Sequence, residues 1–162
     1  IEMTDILEKL NTALRTINAQ YHQLILLVNC EERSKQEIVR SWKEDRNAEP
    51  LNLNLELSTR LLEYSTKQRP LKITEIMEEI IGGTSSPALL DRIDILFEPS
   101  LQTDALSLLL SLSRNKSIVV FWQGVLKENR LYYAEPGYPE YKSYPVQDFV
   151  AIDAQPPESF LN

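Results

Sequence analysis

One short segment, residues 24–36, constrains the fold of this 162-residue chain more than any other part of the sequence. Residues 24–28 are five consecutive apolar and mostly branched residues, a run that is typical of a buried strand. A single lysine, Lys35, follows after a short polar stretch, and a helical pattern of apolar residues occupies residues 34–46. The sequence therefore predicts a strand, a loop and a helix in succession, with the lysine where the loop enters the helix.

This layout is that of the phosphate-binding loop G-x-x-x-x-G-K-[ST], in which backbone N–H groups and the lysine hold phosphates. Asn29 stands at the first glycine position, Ser34 at the second, and Gln36 at the final hydroxyl position, so only the lysine matches. By position, the residues predicted to contact ATP are Asn29, Cys30, Arg33, Ser34, Lys35 and Gln36. Gln36 also occupies the place of a magnesium ligand.

The substitutions in this loop weaken the prediction of nucleotide binding. Asn29 tolerates a left-handed backbone, but Ser34 would cost roughly 1–2 kcal/mol of strain if the native angles were kept. Gln36 is a poorer magnesium ligand than a small hydroxyl. Glu31 and Glu32 would each repel a phosphate at about 5 Å by roughly 3 kcal/mol at an effective dielectric near 20. We therefore expect weak or absent hydrolysis by the chain alone.

Two later apolar runs end in polar residues that belong to the same predicted rim. Asp91 ends the run 88–91 and is the predicted magnesium acid, and Asp94 is the candidate catalytic acid. Gln123 follows the run 118–122 and is the candidate γ-phosphate sensor. Because ligands of open parallel sheets bind beyond the carboxyl ends of the strands, we expect these side chains near Lys35. The alternative for Asp91 and Asp94 is that they cap a following helix.

Strands alternate with helices along the chain, which favours βαβ units and an α/β fold. Apolar spacing predicts helices at residues 6–17, 34–46, 55–64, 74–81 and 104–113, and short strands at 24–28, 51–53, 88–91 and 118–122. We predict one domain over residues 1–162, a three-layer sandwich whose mainly parallel, P-loop NTPase-like sheet has helices on both faces. A strand at 130–134, paired with a neighbour through a turn at residues 127–129, is expected to be antiparallel at an edge of the sheet. From about residue 135 a Pro/Tyr-rich tail should be extended, with a last strand near 149–152.

Composition excludes several classes of protein. The net charge of −7 weighs against a general nucleic-acid surface, so nucleic acid is expected only indirectly, if at all. One cysteine and one histidine cannot assemble a Cys/His zinc cluster. The longest apolar runs are too short to span a bilayer, and no signal peptide is recognisable. These features predict a cytoplasmic protein without membrane contact.

Three segments in the second half carry a resemblance to a known family: LLDRIDILFEP at residues 89–99, LSRN at 112–115 and YAEPGYPEY at 133–141. They resemble BrxF, the small P-loop proteins of type 3 bacteriophage exclusion (BREX) systems. The resemblance covers about residues 24–144, and its last segment is the most distinctive. It implies an ATPase-like fold in a cytoplasmic phage-defence component, working beside other BREX proteins that include a methyltransferase and a phosphatase-like protein.

By motif position, the resemblance makes Lys35 the phosphate lysine, Asp91 the magnesium acid and Asp94 a catalytic acid. Three hypotheses follow. The first is a nucleotide-binding P-loop subunit of a phage-defence complex, using ATP and Mg²⁺ with weak or no hydrolysis alone. The second is a non-enzymatic assembly module that keeps the fold without nucleotide, and the third is a nucleic-acid-associated subunit. A homo-oligomer is open in each case, with Arg114 at the opposite rim able to reach only a neighbouring subunit's site.

Overall fold

A computed structural model, which describes residues 2–133 and 142–154, contains a central parallel sheet of five strands. These are β1 (Leu24–Val28), β2 (Leu51–Asn52), β3 (Ala88–Asp91), β4 (Ile118–Trp122) and, last in the chain, β8 (Val150–Asp153). Their spatial order is β2-β3-β4-β1-β8, and every neighbouring pair is parallel. The strand that precedes Lys35 therefore lies inside the sheet, and β4 separates it from the strand that ends in Asp91.

Helices cover both faces of this sheet. They are α1 (Glu2–Ile17), α2 (Glu32–Arg46), α3 (Leu53–Leu61), α4 (Arg69–Gly82) and α5 (Ala105–Leu112), and two 3₁₀ turns, Asp94–Phe97 and Pro99–Leu101, precede α5. Helices α1 and α2 pack on one face of the sheet, while α3, α4 and α5 pack on the other. The predicted three-layer α/β sandwich with a parallel sheet is therefore confirmed.

The two cores are sorted by the alternation of side chains along each strand. In β1, Leu24, Leu26 and Val28 point to the α3–α5 side. Ile25 and Leu27 point to the α1–α2 side, and all five side chains of the strand are buried. A strand buried on both faces needs apolar residues at every position, which is why the run was continuous rather than alternating.

A second, antiparallel sheet follows β4 directly. It consists of β5 (Gly124–Lys127), β6 (Arg130–Tyr133) and β7 (Lys142–Pro145) in the order β5-β6-β7. The predicted strand at 130–134 is therefore antiparallel as expected, but its placement at an edge of the main sheet is wrong. The predicted turn at residues 127–129 is confirmed, because Glu128 and Asn129, with φ of 50° and 60°, form a two-residue hairpin turn. The strand that this turn joins to β6 is β5, which was not predicted and belongs to the second sheet.

The predicted extended tail falls partly outside the described residues, because 134–141 and 155–162 are not described. Within the described part, β7 joins the small sheet and β8 pairs with β1 in parallel. The expected last strand near residues 149–152 is confirmed by β8.

Two helices begin earlier in the chain than predicted. Helix α3 begins at Leu53, which is fully buried, and Leu62, directly after its last residue, is 77% exposed. Helix α4 begins at Arg69 rather than at Thr74, since Pro70 lies in its first turn, where the missing N–H has no helical partner to lose. Within the described residues, no helix is long and apolar enough to cross a membrane.

Candidate functional site

A cavity of about 350 Å³ lies at the carboxyl ends of β1, β3 and β4. Helix α2 leaves β1 toward one face of the sheet, while the residues after β3 pack on the other, so the cavity lies where ligands of open α/β sheets bind. Six predicted site residues line it: Asn29, Cys30, Lys35, Asp91, Asp94 and Gln123. The sequence thus placed residues from three separate segments at one site.

An ion pair between Lys35 and Asp91 forms the centre of this cavity. Lys35 Nζ lies 2.8 Å from Asp91 Oδ1, and each side chain is only 18% exposed. Side chains two positions apart in a strand point to the same face of the sheet, so Asp91 points to the face on which Leu89 packs against α1 and α2. Its carboxylate therefore points toward α2, the helix that carries the lysine. Lys35 crosses β4 to meet it and passes over the Phe121 ring, with 5.3 Å between Nζ and the ring centroid. The pair therefore ties α2 to β3 across the intervening strand.

Asp91 has a second partner beside the lysine. The backbone N–H of Arg92, whose φ of 54° is left-handed, donates to Asp91 Oδ1 over 2.8 Å. The 3₁₀ turn that follows has Ile93 at its N-cap position and no side-chain cap, so the alternative of Asp91 or Asp94 as a helix cap is wrong. The carboxylate of Asp91 is thus paired with groups that lie at the same rim of the sheet.

The loop between β1 and α2 is shorter than a phosphate-binding loop requires. Helix α2 begins at Glu32, not at the predicted Ser34, and only Asn29, Cys30 and Glu31 connect it to β1. Asn29 has the left-handed backbone that was expected at its position, with φ of 58°. The backbone N–H of Lys35 donates to Glu31 O over 2.9 Å as a regular helical hydrogen bond. That N–H is consequently not available to a phosphate.

The other predicted contact residues on α2 lie away from the cavity. Ser34 is buried, at 6% exposure, whereas Arg33 and Gln36 are exposed, and none of the three lines the cavity. Because the helix begins two residues earlier than predicted, these three side chains lie on sides of the helix that do not face the cavity. Glu32, which the sequence marked only as a repulsive neighbour, does line the cavity from the first helical turn. A carboxylate there is favoured by the helix dipole and opposes a bound anion.

Asp94 is held by a residue that the sequence reading did not place at the site. The Tyr133 hydroxyl donates to Asp94 Oδ1 over 2.9 Å. Its ring stacks on Phe97, with centroids 3.5 Å apart, and meets Trp122 edge-on at 5.6 Å. The aromatic residues in the segment after β4 were the sequence feature that could have indicated Tyr133 as a site residue. Through Tyr133, the small antiparallel sheet contacts the rim of the main sheet, while Gln123 stays exposed beside it.

Cys30 is half-buried at the mouth of the loop. The pKa of its thiol is raised to about 11, chiefly because burial disfavours the thiolate. Lys35 opposes this rise, and Glu31 and Glu32 add smaller contributions to it. The thiol is therefore protonated at neutral pH.

We expect Cys30 to react with iodoacetamide about tenfold more slowly in the folded protein than in the denatured chain at pH 8. A pKa of about 11 in place of 9.0 leaves about 100-fold less thiolate, and the higher nucleophilicity of the more basic thiolate recovers about tenfold of this. Mass spectrometry of timed, quenched reactions would give both rates. Equal rates in buffer and in denaturant would contradict the raised pKa.

The same raised pKa predicts how stability depends on pH. The contribution of the thiol is fully present below the unfolded value of 9.0 and is lost as the pH rises toward about 11, because only the unfolded chain gains a thiolate freely in that window.

The charges that line the cavity oppose the binding of a nucleotide anion. The one lysine of the motif is neutralised by Asp91, and Glu32 adds negative charge to the lining. What remains at the rim is a polar cavity closed by an internal ion pair.

The fold and site together define an α/β protein with a lysine–aspartate pair at the carboxyl rim of a parallel sheet. No protein-family model, curated protein or solved structure matches the chain.

Proposed function

We propose that this chain is a cytoplasmic, P-loop-like subunit of a bacterial phage-defence system of the BREX type, and that it acts by assembling with other defence subunits without hydrolysing ATP itself. Support for the P-loop origin comes from the shared position of Lys35 and Asp91 at one rim. Support for the defence role comes from the three segments that resemble BrxF. The carboxylates of Asp91 and Glu32 in the cavity lining, which oppose a nucleotide anion, favour the assembly role over catalysis.

The observation that carries the proposal is the ion pair of 2.8 Å between Lys35 and Asp91. A phosphate that used the lysine would have to break this pair and leave the carboxylate of Asp91 facing an anion. Glu32 would add a second repulsion, and one carboxylate at about 5 Å costs roughly 3 kcal/mol at an effective dielectric near 20. These costs are a large share of the roughly 8 kcal/mol that a micromolar affinity requires.

Nucleotide binding completed by a partner is the second candidate. It is favoured by the cavity of about 350 Å³, which gathers Lys35, Asp94 and Gln123 and falls within the roughly 300–1,000 Å³ of ligand pockets. A partner that supplied cationic side chains would offset the carboxylates and free the lysine. In that case binding would require the complex, not the isolated subunit.

Calorimetric titration of the isolated chain with Mg-ATP tests the proposal. We expect no heat of binding, which corresponds to a Kd weaker than about 1 mM. A micromolar Kd that is lost in Lys35→Ala would overturn the assembly role and support an ATP site at the rim. A micromolar Kd that is unchanged in Lys35→Ala would also overturn it and would place the nucleotide elsewhere.

A plating assay, with the chain expressed within a BREX gene cluster, tests the defence role. We expect deletion of the chain to abolish protection against phage, and the double variant Lys35→Met/Asp91→Leu to retain it, because neither charge is needed for assembly. Undiminished protection after deletion of the chain would refute the defence role. Loss of protection in the double variant, at wild-type protein levels, would favour the nucleotide-binding candidate.

A further inference from the structure

The outer side of α3 and α4 presents three leucines to solvent. Leu55, Leu62 and Leu71 are 60%, 77% and 82% exposed. They account for three of the five large apolar side chains that are exposed within the described residues, and all three belong to this one helical pair. Single exposed apolar residues are ordinary, but a concentration on one layer marks an interaction surface. We call these three residues the leucine face.

Helical geometry places the leucines on one side of the layer. Leu55 and Leu62 are seven positions apart, and the backbone at Leu62 is still in the right-handed helical region, so the two lie along one side of α3. Arg69 holds the start of α4 against the end of α3, since its Nε donates to Leu61 O and Tyr64 O, each over 3.1 Å. Leu71 therefore lies at the same end of the layer as Leu62.

The core does not use this side of either helix. Leu57 and Leu61 of α3 are buried, as are Ile73, Ile76 and Met77 of α4. The leucine face is consequently additional to the apolar surface that the fold requires. A polar residue at any of its positions would leave the core intact.

Unpaired carboxylates surround the leucine face. Glu63 follows Leu62, and Glu75 and Glu78 continue the side of α4 that begins at Leu71. These three glutamates and Glu79 are exposed and make no ion pair among the described residues.

Three of the four basic residues of this layer contact other groups of the chain, and the fourth, Lys67, is exposed in the connection between the two helices. Arg60 pairs with Glu56 over 3.7 Å, Arg69 binds the two carbonyls named above, and Lys72 lies over the Tyr64 ring at 5.9 Å. Most of the unpaired charge around the leucine face is therefore negative, and it is concentrated on the outer side of α4.

We propose that the leucine face docks a basic amphipathic helix of a partner protein, a mode in which an apolar helix side covers exposed leucines while its flanking cations meet carboxylates. The proposal rests on the assembly function proposed above and names its surface. A second copy of this chain is a poorer occupant, because a symmetric contact would bring the same glutamate-rich side of α4 from both copies into one interface.

A pair of synthetic 18-residue helical peptides tests the proposal. Both carry leucines at i, i+3/i+4 and i+7, and one has lysines and the other glutamates on the flanks. We expect fluorescence anisotropy to detect binding of the lysine peptide and none of the glutamate peptide. The variant Leu62→Ser/Leu71→Ser should weaken binding about tenfold or more, and so should Glu75→Lys/Glu78→Lys.

The matched control is Glu44→Lys, which reverses an exposed glutamate on α2, on the other face of the sheet. It should leave peptide affinity unchanged, and all variants should melt with the wild type, since every substituted residue is exposed. Equal binding of the two peptides, no binding of the lysine peptide, or indifference to the leucine substitutions would overturn the proposal. Self-association that is lost in Leu62→Ser/Leu71→Ser, measured by light scattering, would overturn it in favour of a second copy. None of these outcomes depends on the titration with Mg-ATP.

Discussion

Replacement of Gly124 by alanine is expected to lower the free energy of unfolding by about 3 kcal/mol or more. A Cβ atom at this position would lie 1.8 Å from Tyr132 O and 2.9 Å from Tyr132 C. Both are backbone atoms of the paired strand, so relief requires β5 and β6 to separate, and overpacking that moves backbone costs at least the upper end of the usual 1–3 kcal/mol. Urea denaturation followed by circular dichroism would measure the loss.

Gly82→Ala is the matched control for this prediction. Gly82 is the last residue of α4, and no atom lies within 4 Å of a Cβ built there. Because alanine is the better helix former by up to about 1 kcal/mol, this variant should be as stable as the wild type or slightly more so. A Gly124→Ala protein that unfolds at the wild-type urea concentration would show that the hairpin tolerates the side chain and would contradict the close approach at Tyr132.

The single substitution Lys35→Met is expected to destabilise the protein by about 2–3 kcal/mol. Removing the lysine leaves the carboxylate of Asp91 with 18% exposure and without its counter-charge. Breaking a fully buried pair in this way costs about 3–5 kcal/mol, and residual solvent access at this pair reduces the figure. Asp91→Leu should cost a similar amount, because it leaves the lysine unpaired and removes the acceptor of the Arg92 N–H.

The double variant Lys35→Met/Asp91→Leu should recover most of this loss, since two apolar side chains of similar size replace both charges. Urea denaturation of the four proteins completes the cycle and gives the coupling energy. Losses that simply add in the double variant would mean that the two charges do not stabilise each other. The proposed function would then lose the observation that carries it.

The layers of this fold were predictable because they depend on local patterns. The strands that became β1, β3 and β4 are apolar runs bounded by polar residues, and their alternation with helices favours a buried parallel sheet. The small antiparallel sheet was predicted only in part. Its turn at Glu128 and Asn129 was expected, but β5 was not, because only two of its four residues are apolar and the strand is not marked off from β4 by a long loop.

The candidate site was likewise predictable only in part. The rule that carboxyl ends of parallel strands share a rim was sufficient to bring Lys35, Asp91 and Gln123 to one cavity. The start of α2 was not predictable, because Glu31 occupies the N-cap position without making a side-chain cap, so no capping residue marked it. Tyr133 was missed since its partner, Asp94, lies far away in the sequence and meets it only through the second sheet.

The position of β1 in the sheet sets the timing of folding during synthesis. Its two neighbours, β4 and β8, are residues 118–122 and 150–153, so both are made long after it. At translation rates of 5–20 residues per second, the fully apolar β1 waits on the order of ten seconds before its second neighbour leaves the ribosome. Helices α1 and α2 both pack on the side of Ile25 and Leu27, and both are synthesised before β4 and β8. In the nascent chain these two helices can cover one side of the strand while its two edges still lack their neighbours.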